Sequence, residues 1–298
     1  MRLTRALAGA LVALACLGAT ACQGASAGRE GSSVSTAEPT KVLVVVEENH
    51  SYQQMKDGMP YLFSLSTKYG YATHYTAIRH PSEPNYLAIA GGSTFGIADD
   101  RSPAANSGQL GSAKSVFDQA LDNGKTAKTY AEDMPKPCHV YDYPADNPSY
   151  AVRHNPWVYF DASRQRCLTD DVPLTDFAKD ATGNHLPNIG FLVPNLCHDA
   201  HSCPLGSADD FLKSTLPAVL ESHDFTSGHL VVVVTADEDD KKSGNEVLTS
   251  VLSTRLSHKV VTSPLTHYSL SRYLSEVVGA QPLLDAAKAP DMRAAFGL

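Results

Sequence analysis

The 298-residue sequence lacks an excess of positive charge: 24 Lys and Arg stand against 32 Asp and Glu, for a net charge of -8. Phosphate backbones are gripped by basic stripes, and none is visible, which excludes a general nucleic-acid partner while leaving small phosphorylated molecules open. After residue 17 it also lacks any apolar run long enough to span a bilayer. No internal repeat is present, and no closely set cysteine pair of the kind that opens a zinc site. What remains, at 43% hydrophobic residues, is enough apolar material for one large domain with a substantial core.

Arg2 and Arg5 followed by an apolar run from Ala6 to Leu17 and small residues up to Cys22 read as a secretory signal over residues 1–22. The Ala19-Thr20-Ala21-Cys22 ending also resembles a lipoprotein signal, although Ala19 stands where Leu is preferred. That allows a membrane tether through a lipidated Cys22, and hence either a secreted or a cell-surface lipoprotein. Residues 23–40, rich in Gly, Ser and Ala, read as a flexible linker, leaving 41–298 as the folded domain. Cys138, Cys167, Cys197 and Cys203 follow, an even number in a chain expected to leave the cytoplasm, so disulfides are the expected state. Of three connectivities, the short loop favours Cys197 with Cys203, leaving Cys138 with Cys167.

Lys41 to Val46 is an unbroken β-branched and aliphatic run, as expected for a strand buried on both faces of a parallel sheet. It ends in Glu47-Glu48-Asn49-His50. Leu230 to Val234 repeats the pattern and ends near Asp237 to Asp240; Ile189 to Val193 and Thr126 to Tyr130 are weaker instances. Helical stretches lie between them, at 60–69, 113–123, 207–221 and 266–278, with Pro starts and Gly stops at several boundaries. The alternation predicts an α/β domain with a mostly parallel sheet. Ligands of such sheets sit beyond the carboxyl ends of the strands, so Glu48, Asn49, Asp237, Glu238 and the loop carrying His201 are expected on one edge. Residues 138–188, with weak periodicity, are expected as a long excursion over that edge.

Clustered carboxylate and amide oxygens suit a divalent cation, although the run Asp237 to Asp240 taken alone also reads as a solvated acidic turn. In His80-Pro81-Ser82-Glu83-Pro84-Asn85-Tyr86 a serine sits between two prolines ahead of an apolar segment. Locally, Ser82 reads as a helix cap rather than a nucleophile. Cys197-His198-Asp199-Ala200-His201-Ser202-Cys203 admits a zinc reading, but a disulfide that frees His201 for acid/base work fits an exported chain better.

Together these motifs, with Val193 to His201 and Thr266-His267-Tyr268-Ser269, resemble the phosphoesterase family of acid phosphatases and phospholipases C, in the same order from about Lys41 to Gly279. The segment Arg153-His154-Asn155-Pro156-Trp157 is similar to one in exported bacterial acid phosphatases of the phosphatidylinositol-3-phosphatase type. The resemblance implies an alkaline-phosphatase-like α/β/α sandwich, with Ser82 as nucleophile and a divalent cation (Mg, Ca, Mn or Zn) on Glu48, Asn49, Asp237 and Glu238. It implies further that His201 and His267 act around the phosphate, with His80 and Asn85 as phosphate contacts. The implied activity is phosphomonoester hydrolysis through a phosphoserine, on a phosphorylated small molecule or phosphoinositide. Phospholipase C-type diester cleavage and a non-catalytic phosphate-binding lipoprotein are the alternatives. Two departures stand out: Lys241 where relatives commonly have Gly, and Leu248 where they often have Pro.

Overall fold

A computed structural model describes residues 38–298. The expected signal over 1–22, the lipidation of Cys22 and nearly all of the expected linker lie outside the described residues. Ten strands are present: β1 (Lys41–Glu47), β2 (Gly70–Ala72), β3 (Tyr75–Thr76), β4 (Ala127–Ala131), β5 (Asp171–Pro173), β6 (Ile189–Val193), β7 (Leu230–Ala236), β8 (Thr249–Leu252), β9 (Lys259–Val261) and β10 (Leu265–Thr266). Eight of them form one sheet in the order β5-β4-β6-β1-β7-β8-β2-β9, and β3 pairs with β10 separately. Within the large sheet the pairings of β1 with β6 and β7, β4 with β5 and β6, and β2 with β9 are parallel. Only β8 runs antiparallel to its neighbours β7 and β2.

The aliphatic runs take the centre because they can be dry on both faces without leaving polar side chains unpaired. Every residue of β1 after Lys41, and every residue of β6 and β7, is buried. Each fully buried Val or Leu contributes roughly 1.5–3 kcal/mol relative to exposure, so this trio supplies much of the core. Two groups of helices cover the sheet. Pro60–Lys68, Leu205–Leu220 and Phe177–Thr182 pack in one, and Ser82–Gly91, Val116–Asp122 and His267–Val277 in the other.

The register of the central strands brings the acidic motifs together. Glu47 pairs with Ala236, and the Asp237 amide donates to the Glu47 carbonyl at 2.9 Å, so Glu48 and Asp237 leave adjacent strand ends. The Glu48 amide donates to the Asp199 carbonyl at 2.7 Å, which ties the disulfide loop to the same edge.

Residues 138–188 are more than an excursion. They contribute β5 at the sheet edge and helices at Arg164–Asp170 and Phe177–Thr182, and they bury Trp157, Tyr159 and Phe160. Trp157 stacks on Phe117 at 4.3 Å between ring centroids, and Phe117 meets Phe191 of β6 edge-on. The short strands β2, β3, β8, β9 and β10 were not expected, since two to four residues are too few to display a period. Both disulfides join the expected partners, Cys138–Cys167 and Cys197–Cys203, and with those sulfurs bonded the zinc reading of the second loop falls away.

Candidate active site

Ser82 opens the Ser82–Gly91 helix, whose N-cap is Pro81 and carries no side-chain cap bond. The capping alternative therefore fails: Pro81, not Ser82, is the N-cap, and Pro84, two residues on from Ser82, has no N–H to offer. It donates to Glu48 Oε2 at 3.0 Å. The same oxygen accepts from the Asn49 side chain at 3.1 Å, while the Asn49 amide donates to Asp237 Oδ1 at 3.0 Å. Glu48, Asn49, Ser82 and Asp237 thus form one contiguous set.

The chemistry of this set calls for positive charge. Asp237 and Glu48 are wholly buried, and Asp237 Oδ2 has no hydrogen-bond partner in the protein. Burial pushes the Glu48 carboxyl well above the carboxylate range, and the charges of Asp237 and Asp199 add to the effect. Burial and neighbouring Glu238 push Asp237 in the same direction. Burial, with Asp100 next, raises Glu238 to about 8. Acids so placed either bind protons or hold a cation, and hard oxygen ligands with an open valence fit a divalent ion.

A second cluster shares Glu48. His154 Nδ1 lies 3.0 Å from Asp199 Oδ2, and its Nε2 lies 3.2 Å from Glu48 Oε1. Tyr86 donates to that same Glu48 oxygen at 2.5 Å and stacks flat on the His154 ring. Glu48, His154 and Asp199 are all buried, with donor atoms close enough to hold a metal ion. Burial first, and then the charge of Arg153, lower the pKa of the imidazole well below its ordinary value. The motif analysis assigned no role to His154 or Asp199. Their signal was present in the Arg-His-Asn-Pro-Trp segment and in the acidic residue between two histidines of the disulfide loop.

A cavity of about 570 Å³ opens in front of Ser82, walled by Asn49, Asp100, Arg153, His201, Glu238 and Lys241 among others. His201 stands at its rim with Nε2 at 3.1 Å from the Arg153 guanidinium; burial, His154 and Arg153 lower its pKa. The remaining expected residues lie behind this wall. His80 bridges two carboxylates, Nδ1 at 2.9 Å from Glu238 and Nε2 at 3.2 Å from Asp239. The Asn85 oxygen accepts from the Ile78 and Arg79 amides, and its nitrogen donates to Arg79 O, Pro81 O and Glu238 Oε2. That side chain is spent on the turn that presents Ser82, and it does not line the cavity. His267 is fully buried, with Nε2 at 2.6 Å from the Asp237 carbonyl oxygen and Nδ1 at 3.2 Å from the Tyr75 hydroxyl. Asp239 is held differently from its neighbours. Burial works against its charge, but the Ser243, Asn245 and Lys241 amides donate to it and its pKa ends below the usual value.

A model of the phosphoesterase family matches residues 55–243. Among curated proteins, a phosphatidylinositol-3-phosphatase of Mycobacterium tuberculosis is 30% identical over 258 residues, covering 86% of this chain and 82% of that protein. A phosphate-repressible acid phosphatase of Penicillium chrysogenum is 33% identical over 215 residues, 68% of this chain and 50% of that one, so the chain spans about half the length of the fungal relative. Among solved structures, an alkaline phosphatase superfamily protein from Vibrio parahaemolyticus aligns with a TM-score of 0.57 at 11% identity, covering 82% of this chain and 67% of that one. The lipoteichoic acid synthase LtaP of Listeria monocytogenes aligns at 0.55 and 9%, covering 84% and 76%. These two likenesses establish the fold: an alkaline-phosphatase-like arrangement around a mostly parallel sheet.

Proposed function

The chain belongs to the phosphoesterase family, and from that premise we propose that it is a metal-dependent phosphomonoesterase whose nucleophile is Ser82. The observation that carries this reading is the Ser82 hydroxyl at the cavity floor, hydrogen-bonded to a buried Glu48 beside a buried Asp237 with an open oxygen. Glu48, Asn49, Asp237 and Glu238 are the residues that would hold the cation. When bound, such an ion neutralises phosphate oxygens and lowers the pKa of a serine hydroxyl.

The residues of the chain divide the remaining work. Ser82 Oγ attacks phosphorus while its proton leaves along the hydrogen bond to Glu48; a Ser82 oxygen–phosphorus bond forms as the bond to the ester oxygen breaks in line. His201 at the rim gives its proton to the departing alcohol and then takes one from the water that attacks the phosphoserine; the Ser82 oxygen–phosphorus bond breaks as phosphate leaves, and Ser82 Oγ takes its proton back from Glu48. Its lowered pKa means that the acid form is populated in acidic medium, in keeping with the acid phosphatases among the relatives. His154, braced by Asp199 and Tyr86, fixes the far side of Glu48. Asn85 and His267 act as positioning residues, one for the Ser82 turn and one for Asp237.

Residues 41–298 form the catalytic domain in this reading, following an export signal over 1–22 and a linker over 23–40. Two disulfides, and the absence among the described residues of any helix long and apolar enough to cross a membrane, support a site of action outside the reducing cytoplasm. The phosphoinositide of the mycobacterial relative is the first natural substrate to test. Ser82→Ala should abolish release of inorganic phosphate from an aryl phosphate with the melting transition retained, and acid quenching of the wild type should trap a phosphorylated Ser82 peptide. A Ser82→Ala protein that still turns over rejects the assignment.

A further inference from the structure

Lys241 stands where the resemblance implies Gly, and the structure shows it in a strained place. Its φ is +66°, a left-handed conformation that glycine takes freely and a residue with a β-carbon does not. Its amide is pinned there by a 2.7 Å hydrogen bond to Asp239 Oδ1, so the position of the side chain follows from the acidic turn itself. The side chain stands at the rim of the Ser82 cavity.

The charges around it are unevenly matched. Asp239 is saturated by three backbone amides, and Asp240 is met by Lys242 at 3.5 Å and by Gln54 at 3.2 Å. Glu238 is engaged by His80 and Asn85, although it also feels the Lys241 charge. Lys241 itself makes no ion pair among the described residues. Arg153, which also lines the cavity, contacts His201 and likewise has no carboxylate partner among them. The cavity falls in the range of about 300–1,000 Å³ that holds whole small ligands, and a phosphoryl group fills a fraction of it.

We propose that Lys241 and Arg153 form a second anion subsite in this cavity, so that the preferred substrates are phosphomonoesters whose alcohol carries another phosphate or phosphodiester. The inference rests on the phosphatase reading and narrows its substrate class. A bland alternative is that Lys241 only offsets the negative field of Glu238, in which case every substrate would feel its loss equally.

The test compares kcat/KM for inositol 1,3-bisphosphate with that for phenyl phosphate, which has no second anion, in wild type, Lys241→Gly and Lys241→Arg. The wild type should prefer the bisphosphate. Lys241→Gly, which relaxes the backbone and removes the charge, should lower the ratio about tenfold, the size expected for one charge-assisted hydrogen bond, and Lys241→Arg should keep it. A wild-type ratio near one, a ratio untouched in Lys241→Gly, or a parallel fall for both substrates would overturn the proposal. Presenting the same headgroup as phosphatidylinositol 3-phosphate in phosphatidylcholine vesicles separates a lipid source from a soluble one, and the Lys241 dependence is expected in whichever arm is faster. If neither substrate is hydrolysed, the phosphatase reading fails on its own. Calorimetry then decides the subsite: inositol 1,3-bisphosphate binding tighter than inorganic phosphate, and losing that margin in Lys241→Gly, sustains it, and equal binding overturns it.

Discussion

Asp237 at the carboxyl edge of the sheet and Asp171 in the 138–188 segment are both fully buried acids, and they are furnished in opposite ways. Asp171 accepts from the Asn155 side chain on both oxygens, at 3.0 and 2.9 Å, in a pocket closed by Tyr150 and the Cys138–Cys167 disulfide. Asp237 has one oxygen bonded to the Asn49 amide and the other to nothing in the protein, and it faces two further acids. A buried charge is tolerated when its partners are supplied, so the open valence at Asp237 marks a place the chain leaves for something else. The contrast separates an acid satisfied within the fold from one with an oxygen left open.

The largest test of that separation is Ser82→Ala, for which a loss in kcat of at least about a thousandfold is expected with the melting temperature nearly unchanged. Initial rates on an aryl phosphate beside a thermal melt check both halves. Asp237→Asn comes next. Activity should fall by roughly a hundredfold or more, and chelation of the wild type should do the same, reversed by a divalent cation. In cation-free protein the same substitution should raise the melting temperature by roughly a few degrees, because a neutral amide avoids the cost of burying an acid among acids. Equal melting temperatures would mean that the edge is not strained by its own charge.

Asp171 sharpens the other side. Burial raises its pKa to about 8, from the ordinary aspartate value of 3.8. A raised folded-state value means that the native protein holds the proton more tightly than the unfolded chain does. The associated stability is complete below about 4 and is lost as pH climbs through about 8, a slope worth on the order of a few kcal/mol. Asp171→Asn should flatten the decline between pH 5 and 8 in denaturant titrations while leaving kcat within about twofold. A slope that survives the substitution would assign it to other acids.

How far the residues announced all this depends on length and on partners. The runs in β1 and β7 are readable because four or more consecutive aliphatics have few other places to go, β6 with its glycine and phenylalanine is a weaker signal, and the polar endings locate the edge. The acids that meet there were therefore legible, whereas β2, β3 and β10, two or three residues long, are formed by neighbours the sequence does not display. Ser82 misled locally, since a serine before an apolar segment is usually a cap, although the proline at 84 was a readable objection. Asn85 and His267 are expected at the phosphate and do not line the cavity in front of Ser82, because a motif says which residues gather and not which way each one faces. His154 needed the opposite correction. Its ring meets Glu48 in a segment whose Trp157 is buried against Phe117, outside any acidic motif.

The smallest expected effect concerns His267, and it asks whether a residue behind the wall acts through the wall. A carbonyl oxygen only accepts, so the ring nitrogen 2.6 Å from the Asp237 carbonyl must carry a proton, which leaves Nδ1 to accept from the Tyr75 hydroxyl. Burial lowers the ring's pKa to about 4, so it is neutral above that pH. His267→Phe keeps the bulk and removes the donor, and a fall in kcat of about tenfold is expected as the Asp237 carbonyl loses its anchor. His267→Gln should recover part of that loss through its amide N–H. Neither substitution should move the alkaline limb of the pH–rate profile, which belongs to His201 in this scheme. A limb that disappears in His267→Gln and persists in His201→Asn would transfer the proton-donating role to His267 and require the buried side of the edge to open during turnover.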